Sequence, residues 1–265
     1  MLGRLTQRWH NWRMARALQR RAIADDLWKR TLGRYKFLRR TDPAAEAQLR
    51  RLTSLFLDRK EFTAVGQQRL SNDVVVAIAA QACLPILRLG LDRYDDFVGI
   101  VVHSDAVVAR REVSDEDGIV HQYEEVLSGE AVQGGPVMLS WRDVRAAGPG
   151  ALQGYNVVIH EFAHVLDLAN GMANGTPVLP PSLPVKLWQE TLAEDYTAFV
   201  ARVQAQQDTA LDPYGAVSID EFFAVASESF FVAPLRMREE HTALYAMFTR
   251  FYRQDPAAEG RLARN

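Results

Sequence analysis

Apolar residues recur at helical spacing in the segment TDPAAEAQLRRLTSLFLDRK, which begins at Thr41. Leu49, Leu52 and Phe56 fall on one face of this segment. Thr41 or Asp42 can cap its N-terminus, because a side-chain oxygen at that position accepts a hydrogen bond from a free backbone N–H. The pattern predicts an amphipathic helix with one buried face.

A second helix is predicted in SNDVVVAIAAQACLPILRLG, where apolar residues occupy nearly every position. The polar residues from Ser71 to Asp73 open it, and Gly90 closes it. Pro85 is expected to kink or end the helix, because proline lacks the N–H that a helix interior needs. A helix that is apolar on nearly all sides belongs in the middle of a core.

Short β-branched runs in DDFVGIVVHSDAVVA and GGPVMLSW predict two strands. We expect the second strand at a sheet edge, since Pro136 cannot donate a ladder hydrogen bond. An exposed edge of that kind can accept an extended peptide as an added strand. Beyond Gly154 the helical period returns, interrupted by the loop NGMANGTPVLPPSLP. Together these elements predict an α+β fold that is mainly helical and has a small mixed sheet.

Composition narrows the classes of protein that remain. The chain has 265 residues, of which 48% are hydrophobic, so it can bury a substantial core. Cys83 is the single cysteine, which excludes an internal disulfide, and no apolar run reaches the roughly 18 residues of a membrane helix. The basic N-terminus lacks the continuous apolar stretch of a secretory signal. We therefore expect a cytoplasmic protein with no membrane partner.

Charge is distributed unevenly, although the net charge is only −2. Residues 1–60 hold 16 Lys and Arg against 5 Asp and Glu, which leaves the remainder acidic. Arginines on solvated helix faces give the same count as a nucleic-acid-binding arm, and no groove-reading motif accompanies them. We therefore expect no direct binding of nucleic acid. The predicted division is a basic N-terminal helical extension at 1–30, a single domain at 31–255 and a C-terminal tail at 256–265.

The segment VVIHEFAHVLD, from Val157 to Asp167, carries the clearest chemistry. Its apolar residues recur at three and four, which predicts a helix with a buried face. His160 and His164 then lie one turn apart, close enough for two imidazoles to bind one ion. Glu161 is turned about 100° away and can reach a water on that ion. The spacing predicts a catalytic zinc site, and the alternative is a pair of hydrogen-bonded core histidines.

A catalytic zinc ion needs a third protein ligand. The metzincin pattern would require Gly at Asp167 and His at Asn170, so that class is excluded. The remaining common source is a glutamate on a later helix, and SIDEFFAVASESFF offers Glu221 and Glu228 on roughly the same face. Spacing favours Glu221 but leaves both candidates open. Asp167 is either a group that orients a ligand or a solvated helix residue.

The remaining histidines lack ligand-like spacing. His10, His103, His121 and His241 are therefore predicted to be surface or core residues. Tyr214, in the stretch LDPYG, is by itself typical of a turn.

Four stretches resemble those of a known family, namely HEFAHVLD, YGAVSIDEFFAVASESFF, ACLPILRLG and GGPVMLSW. They are similar to the Mlc titration factor A family, gluzincin-type zinc peptidases of the bacterial cytoplasm, over about residues 30–255. The resemblance implies that His160, His164 and Glu221 bind one zinc ion per chain. It also implies that the helix with the two histidines is a zincin-type helix packed beside the sheet. This zinc core also resembles the catalytic domain of anthrax lethal factor, which has a tyrosine at the position of Tyr214.

The same resemblance implies an aminopeptidase-like enzyme that hydrolyses a peptide or protein substrate, and a partner similar to the glucose repressor Mlc. In the corresponding mechanism Glu161 is the general base and Tyr214 donates a hydrogen bond to the developing oxyanion. The alternative is a regulatory binding protein that sequesters a transcriptional repressor and holds zinc in a structural role. The two readings differ in their prediction for Glu161→Gln. This variant should abolish the effect of the protein in the cell if that effect depends on catalysis, and should not if the protein only sequesters a repressor.

Overall fold

The computed structural model describes residues 2–66, 69–104, 107–114, 120–127, 129–131, 134–150 and 153–262. The helices are α1 (Leu2–Arg20), α2 (Asp25–Arg34), α3 (Pro43–Arg59), α4 (Asn72–Cys83), α5 (Trp141–Gly150), α6 (Val157–Leu168), α7 (Val185–Gln204), α8 (Ile219–Val232), α9 (Pro234–Glu240), α10 (Thr242–Tyr252) and α11 (Pro256–Leu262). The strands are β1 (Glu61–Ala64), β2 (Gly99–His103), β3 (Val107–Ser114), β4 (Val120–Leu127), β5 (Gly129–Ala131) and β6 (Val137–Ser140). The described residues are mainly helical, and the predicted α+β class is confirmed.

Four of the strands form one small sheet in the order β1, β2, β6, β5. The first three are parallel, with Ile100 of β2 opposite Phe62 of β1 and opposite Val137 of β6. β5 runs antiparallel to β6 and places Gly129 opposite Leu139. β3 and β4 pair with each other as an antiparallel two-stranded sheet. The sheet is therefore mixed, as the sequence predicts.

The predicted edge position of the strand after Pro136 is wrong. That strand is β6, which pairs with β2 on one side and with β5 on the other. Pro136 lies just before Val137, the first residue in the ladder, so its missing N–H removes no ladder hydrogen bond. In the described part of the chain the edges of the sheet are β1 and β5.

The helices predicted in residues 41–60 and 71–90 are both present, as α3 and α4, but the second one ends earlier than predicted. Asp42 caps α3 by accepting a hydrogen bond from the N–H of Ala44 at 2.9 Å. Ser71 caps α4, but that helix ends at Cys83 and not at Gly90. Because Pro85 has no N–H to donate, the ladder of helical hydrogen bonds cannot continue through it, and the chain passes through turns from Leu84 onward.

The motif helix α6 packs against α4, α5 and α8 and against strands β5 and β6. On its buried face Phe162 contacts the ring of Tyr94 at a centroid distance of 5.0 Å and the rings of Phe56 and Phe97 at 5.7 Å. Aromatic pairs at these distances add to the free energy gained by burying their area. This packing fixes the side of α6 opposite to its histidines, so the histidines face the space between α6 and α8.

The basic N-terminal helix α1 packs onto α3. Helix α1 contacts α3, where Arg20 donates two hydrogen bonds of 3.0 Å to the carboxylate of Asp58. The division of the chain at 1–30, 31–255 and 256–265 stays a prediction. Among the described helices, none combines the length and the apolar character that crossing a membrane requires.

Candidate metal centre

The start of α6 is fixed by a side-chain cap. Asn156 precedes the helix in an extended conformation, and its Oδ1 accepts a hydrogen bond from the N–H of Ile159 at 2.9 Å. The helical period then places His160 and His164 one turn apart, with ring centroids separated by 4.8 Å. Both imidazoles point away from the packed face that carries Phe162.

Three side-chain atoms converge between α6 and α8. Oε2 of Glu221 lies 3.0 Å from Nε2 of His160 and 3.4 Å from Nε2 of His164, and the two Nε2 atoms are 3.2 Å apart. Ligands at about 2.0–2.1 Å from a tetrahedral zinc ion are themselves about 3.3–3.4 Å apart, so this triangle has the size that zinc needs. Within the described residues, these three form the group whose donor atoms could hold a metal ion.

The charges of the three groups also fit a cation. Oε2 of Glu221 is buried and accepts no hydrogen bond of normal geometry from the described residues. A carboxylate oxygen and two imidazole nitrogens that face one another repel through their lone pairs unless a proton or a metal ion lies among them. Burial opposes ionisation of Glu221, but the close approach of His160 and His164 outweighs burial and lowers the pKa of the carboxyl. The donor set is therefore suited to a divalent ion.

Glu221 is positioned by the start of α8 and by the turn before it. Ser218 caps α8 by accepting a hydrogen bond from the N–H of Glu221 at 3.4 Å. Tyr214 lies in the short 3₁₀ turn at Pro213–Ala216, and its hydroxyl donates to Oε1 of Glu221 at 3.3 Å. Tyr214 is 43% exposed, so this residue lies at the open side of the site.

Glu228 contacts the opposite nitrogen of the same histidine. Its Oε1 lies 2.8 Å from Nδ1 of His160, two turns along α8 from Glu221, and the residue is only 3% exposed. A proton on Nδ1 that is donated to Glu228 leaves the lone pair of Nε2 directed at the three-atom site. The two glutamates that spacing left open thus occupy different places, one among the donor atoms and one behind His160.

Glu161 is buried beside β5. Its exposed fraction is 4%, and a Cβ atom added at Gly129 would collide with its carboxylate. Burial raises the pKa of Glu161 to about 7, although the nearby His160 and His164 oppose that shift. A carboxyl group with a pKa near neutrality can both accept and return a proton under ordinary conditions.

Asp167 has neither of its predicted surroundings. It is fully buried rather than solvated, and its Oδ2 accepts hydrogen bonds from the N–H groups of Asn174 and Gly175 at 2.9 and 2.8 Å. Its described hydrogen bonds therefore hold the loop after α6 and do not orient a histidine ligand.

Two of the other histidines are described in full, and both lie outside the donor group. His241 is buried, and its Nδ1 lies 2.7 Å from Oδ1 of Asp195, whereas His103 is half-buried on β2. The side chains of His10 and His121 lie outside the described residues. His241 is thus a core residue, as predicted, with a hydrogen-bond partner of its own.

Sequence reasoning missed two buried polar residues that support the site. Asn156 lies directly before the apolar period of α6, where an N-cap is expected, so the sequence could have predicted its capping role. Gln81 is a single amide in the apolar helix α4, and its contact with Asn156 joins positions 75 residues apart. A buried amide in such a helix signals a specific partner but does not identify it.

An α+β fold with an H-E-x-x-H helix and a glutamate from a later helix is the arrangement found in one large class of metallopeptidases. Residues 9–253 match the model of a family described as glucose-regulated metallo-peptidase M90. The chain belongs to this family, and Mlc titration factor A proteins, to which the sequence motifs point, are among its relatives. A metal is implied by that membership.

Several curated relatives cover most of the chain. Mlc titration factor A of Salmonella arizonae is 35% identical over 241 residues, which span 88% of this chain and 93% of the relative. Mlc titration factor A of Pectobacterium atrosepticum is 32% identical over 222 residues, with coverages of 82% and 83%. The uncharacterized protein slr2042 of Synechocystis is 32% identical over 250 residues, with coverages of 94% and 90%.

Proposed function

We propose that this chain is a zinc-dependent, gluzincin-type peptidase with aminopeptidase-like activity. His160, His164 and Glu221 would hold one zinc ion per chain. The observation that carries the proposal is the triangle of donor atoms between α6 and α8, with sides of 3.0, 3.2 and 3.4 Å. Zinc prefers nitrogen and oxygen donors in this geometry, and catalytic sites use three protein ligands.

In the proposed reaction, Glu161 and Tyr214 act on the substrate. When bound, zinc would polarise the scissile carbonyl and acidify the attacking water. Glu161 accepts the proton of that water and passes it to the leaving amine, for which a pKa near 7 is suitable. The hydroxyl of Tyr214, an exposed residue that contacts Glu221, donates a hydrogen bond to the developing oxyanion.

The position of β5 supports a peptide as the substrate. β5 is an edge of the described sheet, and its Gly129 lies against Glu161. An extended peptide that pairs with such an edge would lie beside the proposed base. The sequence predicts an exposed edge at the strand after Pro136, and in the described sheet the neighbouring strand β5 lies at that edge.

The name shared by relatives that are 32–35% identical supports a second activity, binding of an Mlc-like transcriptional repressor. Such a partner would place the protein in the cytoplasm. If the protein acts only by sequestering a repressor, zinc would have a structural role and Glu161 would be dispensable. Burial of Glu161 next to the donor atoms favours the catalytic function.

Metal analysis combined with a peptide-library cleavage assay tests the proposal. The parent protein should contain about one zinc per chain and cleave peptides with a free N-terminus in preference to N-acetylated ones. Glu161→Gln should retain zinc and lose cleavage, because a neutral amide cannot accept the proton. Equal cleavage by the parent and Glu161→Gln, or full cleavage by metal-free protein, would refute the catalytic proposal.

A further inference from the structure

His160 belongs to a closed ring of hydrogen bonds with Asn156 and Glu228. The N–H of His160 donates to the carbonyl of Asn156 at 3.0 Å, and Nδ1 of His160 lies 2.8 Å from Oε1 of Glu228. The ring closes because the N–H of Asn156 donates to Oε2 of Glu228. One residue at the start of α6 therefore holds the backbone of His160 directly and its imidazole through Glu228.

In the described part of the chain, a side-chain hydrogen bond attaches this ring to the neighbouring helix α4. Nδ2 of Asn156 donates to Oε1 of Gln81 at 2.9 Å, and Nε2 of Gln81 donates to the carbonyl of Ala77 at 3.1 Å. Asn156 and Gln81 are both fully buried, so water cannot replace either partner. A buried amide without its partner costs more than the hydrogen bond itself contributes. The contact therefore constrains where the start of α6 can lie.

We propose that Asn156 and Gln81 are positioning residues for the metal ligand His160. The Asn156–Gln81 hydrogen bond fixes the start of α6 against α4, and Asn156 in turn fixes Glu228, which orients the imidazole of His160. This inference rests on the proposed function, since it assumes that Nε2 of His160 binds the ion. Outer groups that orient a ligand contribute to metal affinity without touching the metal.

Two substitutions remove the contact from either side and leave the ring itself in place. Asn156→Ser keeps an N-cap oxygen for the N–H of Ile159 and keeps both backbone bonds of the ring, but it loses the donor to Gln81. Gln81→Met keeps an unbranched side chain of similar size in α4 and loses the acceptor. A matched control is Ser71→Ala, which removes the cap of the same helix α4 outside this network.

The test measures metal affinity by competition with a chromophoric chelator, the visible spectrum of the cobalt-substituted protein, and thermal unfolding of the metal-free protein. Asn156→Ser and Gln81→Met should each lower zinc affinity by about 10–100-fold and change the cobalt spectrum. The double variant should lose no more affinity than either single variant, because both remove one contact. Ser71→Ala should lower the unfolding midpoint and leave affinity and spectrum as in the parent.

The inference is overturned if Asn156→Ser and Gln81→Met both bind zinc as the parent does. It is also overturned if Ser71→Ala loses as much affinity at an equal loss of stability, since the effect would then be general destabilisation. If one of the two variants does not fold, the other decides. A parent protein that binds no zinc, or whose affinity survives His160→Ala, would refute the proposed function, and the inference with it. Parent zinc binding that depends on His160, with Asn156→Ser unaffected, refutes the inference alone.

Discussion

A Cβ atom added to Gly129 would lie 2.4 Å from Oε1 of Glu161. No real side chain approaches so closely, so only glycine lets strand β5 lie directly against this carboxylate. The contact joins the sheet edge that we propose for the substrate to the residue that we propose as the base. With any larger residue at position 129, β5 and the Glu161 carboxylate would be separated by at least the width of a methyl group.

Gly129→Ala should therefore impair cleavage more than it impairs metal binding. The new methyl group must displace the Glu161 carboxylate or β5, and a misplacement of about 1 Å can reduce a rate about 100-fold. Zinc content should stay at the parent level, because the substituted residue does not contact the donor atoms. Gly33→Ala is a matched control, since a Cβ there meets no atom within 4 Å. Parent-like kinetics of Gly129→Ala would show that Glu161 is not held by this contact.

Replacement of the two glutamates of α8 separates a ligand from the group behind it. Glu221→Gln replaces a charged donor by an amide that binds zinc poorly, so zinc affinity should fall by at least about 10–100-fold. Glu228→Gln keeps an acceptor for the His160 Nδ1–H and should cost less. Competition with a chromophoric chelator gives the ranking, and circular dichroism confirms that both variants fold. The reverse ranking would make the assignment of Glu221 wrong.

Replacement of histidines tests whether metal loss is specific to the donor group. His160→Ala should lose metal and cleavage together. His241→Ala should keep its metal but lose about 1–3 kcal/mol of stability, because Asp195 is left without its partner. Metal analysis and thermal unfolding of both variants check this. Equal metal loss in the two variants would indicate general misfolding.

The sequence predicts local features of the site better than distant ones. The spacing of His160 and His164 follows from the helical period alone, and the structure places their Nε2 atoms 3.2 Å apart. The choice between Glu221 and Glu228 depends on how α8 packs against α6, and residue spacing favours one of them but does not determine that packing. The sheet edge was misplaced because the rule for Pro136 applies only inside the ladder, whose first residue is not visible in the sequence.

The rate of cleavage should fall as the pH falls through the pKa of Glu161. Burial raises that pKa to about 7, and only the ionised carboxylate, which dominates above the pKa, can accept a proton. The charge of a bound metal ion favours the carboxylate, so the acid limb of kcat/KM should lie at or below about pH 7. Metal content measured at each pH separates this effect from release of metal by protonated histidines. A kcat/KM that rises on acidification would exclude Glu161 as the base.

Asp167→Asn should change how stability depends on pH in the metal-free protein. Burial raises the pKa of Asp167 from 3.8 to about 6, although the N–H groups of Gly175 and Asn174 oppose the shift. The folded state then holds the proton more tightly than the unfolded state, so this residue lowers the free energy of unfolding as the pH rises from about 4 to about 6. Asparagine does not titrate, and its Oδ1 can still accept from both N–H groups. The stability of the variant relative to the parent should therefore increase across that window, by up to about 3 kcal/mol. Urea unfolding at several pH values measures it, and parallel curves for the two proteins would show that the pKa of Asp167 is not raised in the folded state.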